Sequence, residues 1–152
     1  MRVLVDTNVL IRLASPADPL RELAVTAMAA LVLRGHRPCL TPQNYYEYWV
    51  VATRPHDKNG LGLPIEKVAA DLEKFDVDFD FLPDFGELFQ TWREIVVSYR
   101  VSGKLAHDAR LAAAMLRHGV THLLTFNAQD FARFKEITAI PPASADSLTP
   151  QD

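Results

Sequence analysis

The sequence is poor in cysteine and in long apolar runs. Its 152 residues include a single cysteine, Cys39, which cannot form an internal disulfide and has no partners for a cysteine-based metal site. No apolar run approaches the roughly 18 residues of a membrane-spanning helix. Polar residues also interrupt the first apolar stretch too early for a signal peptide. We therefore expect the protein in the reducing environment of the cytoplasm.

An excess of positive charge is also missing, which at first argues against a nucleic-acid partner. Sixteen Lys and Arg residues stand against nineteen Asp and Glu residues, so the formal net charge is -3. The charges are unevenly placed, however, because residues 66–94 hold nine acids and three bases, and residues 136–152 hold three acids and no base. The rest of the chain therefore has a net charge of +6, which suits a phosphate backbone.

The remaining composition is typical of one globular domain. With 49% hydrophobic and 23% charged residues, a chain of this length buries about two-thirds of the surface its unfolded form exposes, so it needs no metal to fold. The sequence contains no internal repeat and no domain boundary. We expect a folded domain over residues 1–140 and a short tail rich in Pro, Ser and Asp over residues 141–152.

Short apolar runs alternate with stretches of helical periodicity along the chain. Strands are predicted at 3–5, 38–40, 76–81, 120–125 and 137–140. Helices are predicted at 20–33, 43–54, 64–75, 85–99, 105–117 and 128–134, with a loop at 55–63. Within 76–81, alternation places the apolar residues inward and the aspartates toward water. The pattern predicts an α/β fold with a mostly parallel sheet, whose functional crevice lies at the carboxyl ends of the strands.

Three acidic residues are placed where that crevice would form. Asp6 directly follows the first strand, and Glu47 is the only charged residue of the apolar segment 45–51, where a lone carboxylate is costly to bury. Asp108 lies on an apolar helical stripe, in the first turn of its helix. Structural alternatives stay open. Asp6 could cap a helix, and Asp108 could be an acid that the helix dipole stabilises in the first turn. Glu47 could instead pair with Arg54 or with a tyrosine hydroxyl.

A fourth polar position follows the strand near residue 124, where Asn127 and Asp130 could bind a ligand or cap the next helix. All four positions fall at one edge of the predicted sheet. Carboxylates that converge there resist ionising together unless a divalent cation neutralises them. Oxygen ligands without cysteine or a histidine pair favour Mg²⁺ or Mn²⁺ over zinc, and the natural chemistry is hydrolysis of a phosphodiester. The number of metal ions stays open.

Four segments, in this order, resemble the PIN-domain ribonucleases, in particular the VapC-type toxins of type II toxin–antitoxin pairs. They are VLVDTNVLIRL at 3–13, the lone Glu47, AHDARLAAAMLRHGV at 106–120 and LLTFNAQDFARF at 123–134. The resemblance implies a three-layer α/β/α domain and a metal-dependent endoribonuclease, with Mg²⁺ or Mn²⁺ held by Asp6, Glu47 and Asp108. It also implies supporting hydrogen bonds from Asn8 and Thr125, a small antitoxin partner and a homodimer.

One position departs from the family pattern, because many relatives carry a fourth aspartate where this chain has Asn127. Either Asn127 or Asp130 is then the weaker fourth ligand, which lowers the expectation of a second metal more than of the first. The aromatic residues at 45–49 could stack on bases, but an aromatic helix face more often serves packing or a subunit interface. Four basic residues are expected to contact the RNA: Arg12, Arg54, Lys104 and Arg110.

Two other functions compete with the ribonuclease interpretation. Asn127 in place of an acid is compatible with a catalytically silent PIN-like module that binds RNA or a protein. A haloacid-dehalogenase-type phosphatase also places an aspartate after its first strand. That phosphatase needs a second acid two residues later, where this chain has Asn8, so it ranks last.

Overall fold

Five short strands form one parallel sheet in this computed structural model, which describes residues 1–149. In chain order they are β1 (Arg2–Val5), β2 (Arg37–Leu40), β3 (Asp80–Phe81), β4 (His122–Leu124) and β5 (Thr138–Ile140). Their spatial order is β3-β2-β1-β4-β5, so β1 is central and pairs with β2 on one side and β4 on the other. The predicted α/β class with a parallel sheet is confirmed.

Seven α-helices accompany the strands within the described residues. They are α1 (Thr7–Ala14), α2 (Arg21–Leu33), α3 (Pro42–Thr53), α4 (Ile65–Asp78), α5 (Leu88–Ser98), α6 (Leu105–His118) and α7 (Ala128–Phe131). No helix in this part of the chain combines the length and apolar character needed to cross a membrane. A 3₁₀ segment over Pro142–Ser147 packs on α2, and the last three residues of the tail expected at 141–152 lie outside the described residues.

The sheet separates two hydrophobic cores. Leu4 of β1 packs with α5 and α6 on one face, whereas its neighbours Val3 and Val5 pack with α1 to α4 on the other. Successive side chains of a strand point to opposite faces, so a continuous apolar run in a central strand supplies both cores. The three-layer α/β/α arrangement that the resemblance implies is therefore present.

One predicted strand is wrong. Residues 76–78 continue α4 instead of starting a strand, and only Asp80 and Phe81 form β3. Phe75 and Phe79 are four residues apart, so they lie on one side of a helical turn, and their rings meet edge to face with the centroids 5.7 Å apart. Val77, expected to face inward, is 84% exposed, and Asp80 accepts a hydrogen bond from Arg37. The six residues 76–81 do not distinguish a helical pattern from an alternating one. The structure adopts the helix, in which the rings of Phe75 and Phe79 pack together.

Helix α1 is missing from the sequence-based expectations, which contain no helix before residue 20. It begins directly after Asp6 and buries Val9 and Leu10 against the sheet. The sequence-based expectations ended the first element at Asp6, although Val9, Leu10 and Leu13 already have helical spacing. The chain therefore turns sharply at Asp6, and this turn places residues 6–12 along the edge of the sheet.

The strand order reverses at β1, because the chain moves outward first through β2 and β3 and later through β4 and β5. Ligands of open parallel sheets bind at such a switch point, beyond the carboxyl ends of the strands. Asp6 follows β1 and Thr125 follows β4, and the Asp6 amide donates to the carbonyl of Leu124 at 2.9 Å. The fold thus brings both segments to the switch point.

Candidate active site

An open cavity of about 720 Å³ lies at the carboxyl end of β1, and we call it the site cavity. Three acids line it from three different elements: Asp6 from the β1–α1 junction, Glu47 from α3 and Asp108 from α6. Four other predicted site residues also line the site cavity: Asn8, Arg12, Arg110 and Asn127. Thr125, Asp130, Arg54 and Lys104 are outside this lining.

Asp6 is fixed by hydrogen bonds from two sides. Its Oδ2 accepts from Thr125 Oγ1 at 2.6 Å and from Asn8 Nδ2 at 2.9 Å, while Asn8 Oδ1 accepts from the Phe126 amide at 3.2 Å. The Asp6 side chain makes no capping bond to α1, although the residue precedes that helix. The Asp6 carboxylate is therefore held at the cavity wall, where the amides of Thr7 and Asn8 at the start of α1 also lower its pKa.

Glu47 is held by Gln43, one helical turn earlier on α3. Gln43 Nε2 donates to Glu47 Oε1 at 2.7 Å and to the carbonyl of His107 at 2.9 Å. Arg110 Nη1 in turn donates to Gln43 Oε1 at 3.2 Å, so the buried glutamine joins α3 to α6. Sequence reasoning missed Gln43, although an amide four residues before a lone acid was an available signal.

Asn44 is a second residue that sequence reasoning missed, and it is fully buried. Its Nδ2 donates to the carbonyl of Val5 at 3.0 Å and to Thr7 Oγ1 at 3.3 Å. Its Oδ1 accepts from the amide and the hydroxyl of Thr41 at 2.8 and 3.0 Å. The start of α3 is thereby fastened to the end of β1, which sets Glu47 beside Asp6.

The carboxyl groups of the cavity are electrostatically coupled. Burial is the largest of the causes that raise the pKa of Asp108 to about 6, and the charges of Asp6, Asp130 and Glu47 act in the same direction. Burial also raises the pKa of Asp6, with a smaller contribution from Glu47, against the opposing hydrogen bond from Thr125. Groups whose charged forms are disfavoured by burial and by each other accept a proton or a cation readily.

The donor set fits a hard divalent cation, although no compact cluster is formed. Within residues 1–149, no three His, Cys, Asp or Glu side chains stand close enough together to count as a metal-binding group. Mg²⁺ keeps several waters and is commonly bound through one or two carboxylates plus phosphate oxygens, so a tight cluster is not required. Three carboxylates around one open cavity satisfy that weaker requirement. Asn127 lines the same cavity, whereas Asp130 acts on Asp108 through its charge.

The four predicted RNA-contacting residues have different surroundings. Arg12 lines the site cavity, donates from Nη1 to the carbonyl of Asn8 at 3.0 Å, and lies 4.2 Å from the centre of the Phe126 ring. Arg54 instead donates to the carbonyl of Asn59 at 2.9 Å and so fastens the loop after α3. Lys104 is exposed before the first turn of α6. Arg12 and Arg110 are therefore the two of these residues that border the carboxylates.

Asp108→Asn is expected to raise the melting temperature near neutral pH in EDTA. The folded-state pKa of about 6 lies above the ordinary value of 3.8, so ionisation of Asp108 costs stability as the pH rises between these values. Each pKa unit corresponds to about 1.4 kcal/mol, but Asp108 is only half-buried, so we expect about 1 kcal/mol, or about 3 °C.

Thermal denaturation of both proteins across pH measures this effect. The gain should be complete above pH 6 and should vanish below about pH 3.8, where wild-type Asp108 is protonated in both states. Replacing the exposed Asp57 by asparagine is the matched control, with an expected change near zero. A pH-independent gain, or no gain, contradicts the raised pKa.

The chain is similar to known proteins in two ways, through a family model and through its fold. The family model described as PIN domain matches residues 3–137. In fold, the chain is similar to VapBC2 from Rickettsia felis bound to a promoter DNA fragment, with 14% identity, a TM-score of 0.64, and 93% of this chain and 98% of that chain covered.

Two further solved structures share the fold. One is VapBC-1 from nontypeable Haemophilus influenzae, at 16% identity and a TM-score of 0.68, covering 94% of this chain and 99% of that chain. The other is a toxin–antitoxin complex from Klebsiella pneumoniae, at 20% identity and a TM-score of 0.62, covering 92% and 97%. No curated protein matches significantly.

Proposed function

The chain belongs to the PIN domain family, and from this premise we propose that it is a Mg²⁺- or Mn²⁺-dependent endoribonuclease, the toxin of a toxin–antitoxin pair. The observation that carries the proposal is the meeting of Asp6, Glu47 and Asp108 at one cavity on the carboxyl edge of the sheet. The likeness in fold to toxin–antitoxin complexes supports the toxin part.

The residues of the site cavity divide into those that would hold the metal and those that would position them. Asp6, Glu47 and Asp108 would be its ligands, with Asn127 or Asp130 as a weaker fourth. Asn8 and Thr125 fix the Asp6 carboxylate, and Gln43 fixes Glu47. A bound divalent ion supplies Lewis acidity, which lowers the pKa of water and neutralises charge on the phosphate.

The substrate contacts follow from the charges around the cavity. Arg12 and Arg110 border the three carboxylates, and their guanidinium groups suit the non-bridging oxygens of a phosphodiester. Arg12 is restrained by its bond to the Asn8 carbonyl and by the Phe126 ring, so it is already oriented toward this role. Each arginine would hold the phosphate while the carboxylates hold the cation.

The family and the similar complexes also suggest a partner, an oligomeric state and a location for the nuclease. A small antitoxin protein would neutralise the nuclease, and the active form would be a cytoplasmic homodimer. The region that carries the activity would be residues 1–140, with residues 141–152 as an appended tail. These parts of the proposal rest on the family and on the fold of the similar complexes.

Cleavage of labelled RNA by purified protein tests the proposal. Wild-type protein is expected to cut single-stranded RNA when Mg²⁺ or Mn²⁺ is present, and EDTA should abolish the cutting because the ligands then hold no cation. Zn²⁺ should support the reaction poorly, since the donor set has only hard oxygen ligands. A wild-type protein that cuts no RNA with either Mg²⁺ or Mn²⁺ contradicts the proposal.

A catalytically silent module is the second candidate function, and Asn127 in place of an acid is the observation that favours it. Calorimetric titration with Mn²⁺ separates the two functions. Binding that is lost in Asp6→Asn supports the enzyme, because the metal then uses the cavity carboxylates. Absence of Mn²⁺ binding to the wild-type protein favours the silent module.

A further inference from the structure

A second cavity of about 440 Å³ lies beside the site cavity, and Arg110 lines both. Three of its seven lining residues are aromatic, and we call this cavity the aromatic recess: Phe85, Phe89 and Trp92. Asp84, Gly86 and Leu88 complete the wall, with Arg110 at the side shared with the site cavity. Phe85 is 44% exposed and Phe89 is 64% exposed. Two large apolar rings exposed at one concave surface indicate a binding surface rather than scattered surface residues.

The rings of the aromatic recess are held in place by their neighbours. Trp92 Nε1 donates to the carbonyl of Ala106 at 2.9 Å, and the Phe89 ring lies 5.7 Å from Trp92 at a tilt of 31°. Phe85 lies 4.6 Å from the His118 ring at a tilt of 32°. Flat aromatic faces that are already oriented lose little conformational entropy when a planar ligand stacks on them.

Arg110 connects the recess to the carboxylates. Its Nη1 donates to Gln43, which holds Glu47, and its Nη2 pairs with Asp84 at 2.7 Å. An unbroken series of hydrogen bonds therefore runs from Glu47 to the wall of the recess. The Arg110–Asp84 pair is about one-third exposed on each side, so it is weakly stabilised, and a phosphate can compete with Asp84 for the guanidinium.

We propose that the aromatic recess binds a nucleobase of the single-stranded RNA whose backbone crosses the site cavity, while Arg110 binds a phosphate between them. The identity of the ligand rests on the proposed function. Proteins that bind single strands combine cationic groups for the backbone with aromatic faces for the bases, and Arg110 is the cationic group here. The recess itself belongs to the acidic segment 66–94, so it would take the uncharged base, while Arg110 at its border would take the phosphate. Stacking accepts every base, so the recess would position the strand with little sequence preference.

Fluorescence of Trp92 tests whether a base enters the recess. The chain has two tryptophans, so Trp49→Phe leaves Trp92 as the only reporter. In EDTA, which prevents cleavage, a short oligouridylate should quench this fluorescence and bind about tenfold more tightly than an abasic ribose-phosphate oligomer of equal length. Equal affinity and equal quenching by the two oligomers would overturn the proposal.

Variants of Phe89 test whether stacking is the interaction. Phe89→Ala should raise both the Kd of the oligouridylate and the KM for RNA cleavage about tenfold, with kcat changed less than about twofold. Phe89→Leu should lose as much, because it keeps apolar area but no flat face, whereas Phe89→Tyr, which keeps a flat ring and adds no tryptophan, should retain wild-type affinity. Val97→Ala is the matched control, because Val97 is also well exposed on α5 but lies outside the recess.

The alternative occupant is a second copy of this chain, and analytical ultracentrifugation separates it from RNA. If Phe89→Ala changes the molecular mass in solution and leaves RNA affinity intact, the recess is an interface between copies and the proposal is wrong. Wild-type affinity of Phe89→Leu also overturns it.

Failure of the proposed function has a different signature. If the wild-type protein cuts no RNA, base-dependent quenching that Phe89→Ala abolishes still supports the recess as a nucleobase site. If the wild-type protein cuts RNA and the Phe89 variants keep its KM, only the nucleobase site is wrong.

Discussion

Asp6→Asn and Asp108→Asn are each expected to lower the rate of RNA cleavage on the order of a thousandfold at saturating RNA. Each change keeps the size of the side chain and removes one anionic oxygen donor from the site cavity. Loss of that charge weakens cation binding and leaves the phosphate less well neutralised. Single-turnover cleavage of labelled RNA in Mn²⁺ measures the effect without product release.

Folding does not confound this result. The pKa of Asp6 and of Asp108 is raised mainly by burial, so replacing either carboxylate by a neutral amide relieves an unfavourable charge. Asn8→Ala provides a graded comparison with an expected loss of about tenfold, because it removes only one of the two groups that orient Asp6. The exposed Asp57→Asn should cleave at the wild-type rate. Wild-type cleavage by Asp6→Asn contradicts the assignment of the site.

Asn44→Leu is expected to lower the melting temperature by about 10 °C, which corresponds to about 3 kcal/mol of unfolding free energy. Asn44 is fully buried and makes four hydrogen bonds, two as donor and two as acceptor. Leucine fills the volume but leaves the Val5 carbonyl and the Thr41 amide without partners. Differential scanning calorimetry at fixed pH measures the loss.

A polar-to-apolar change at the surface is the control for Asn44. Gln129→Leu, on the exposed side of α7, should change the melting temperature by less than about 2 °C. A similarly small change for Asn44→Leu would mean that the bonds between α3 and β1 contribute little to folding. The positioning of Glu47 beside Asp6 would then need another explanation.

Much of the architecture follows from local patterns in the chain. Val3, Leu4 and Val5 are apolar without alternation, which is typical of a strand buried on both faces, and β1 is such a strand. The helix over Leu105–His118 ends at Gly119, whose φ of 64° suits glycine, as its position predicts. Patterns of this kind involve residues within one turn or one strand of each other.

Local patterns failed where two periodicities compete or where an element is short. Residues 76–78 alternate like a strand and yet continue α4, since Phe75 and Phe79 pack together one turn apart. The helical spacing of Val9, Leu10 and Leu13 in α1 was overlooked beside the apolar run of β1. The contact between Phe75 and Phe79 is itself local, but Phe75 also packs edge to face against Tyr45 and Tyr48 of α3, and a window of six to eight residues does not contain that contact.

The sequence by itself determined which side chains have the chemistry: the acids at Asp6, Glu47 and Asp108 stand out because each is a charge beside an apolar element. Only the tertiary structure decided what surrounds them. Thr125 donates to Asp6 across 119 residues, and Arg110 reaches Gln43 across 67. Such partners depend on which strands pair and which helices pack, and no local spacing specifies that. The sheet order β3-β2-β1-β4-β5 specifies it, by setting the ends of β1 and β4 side by side.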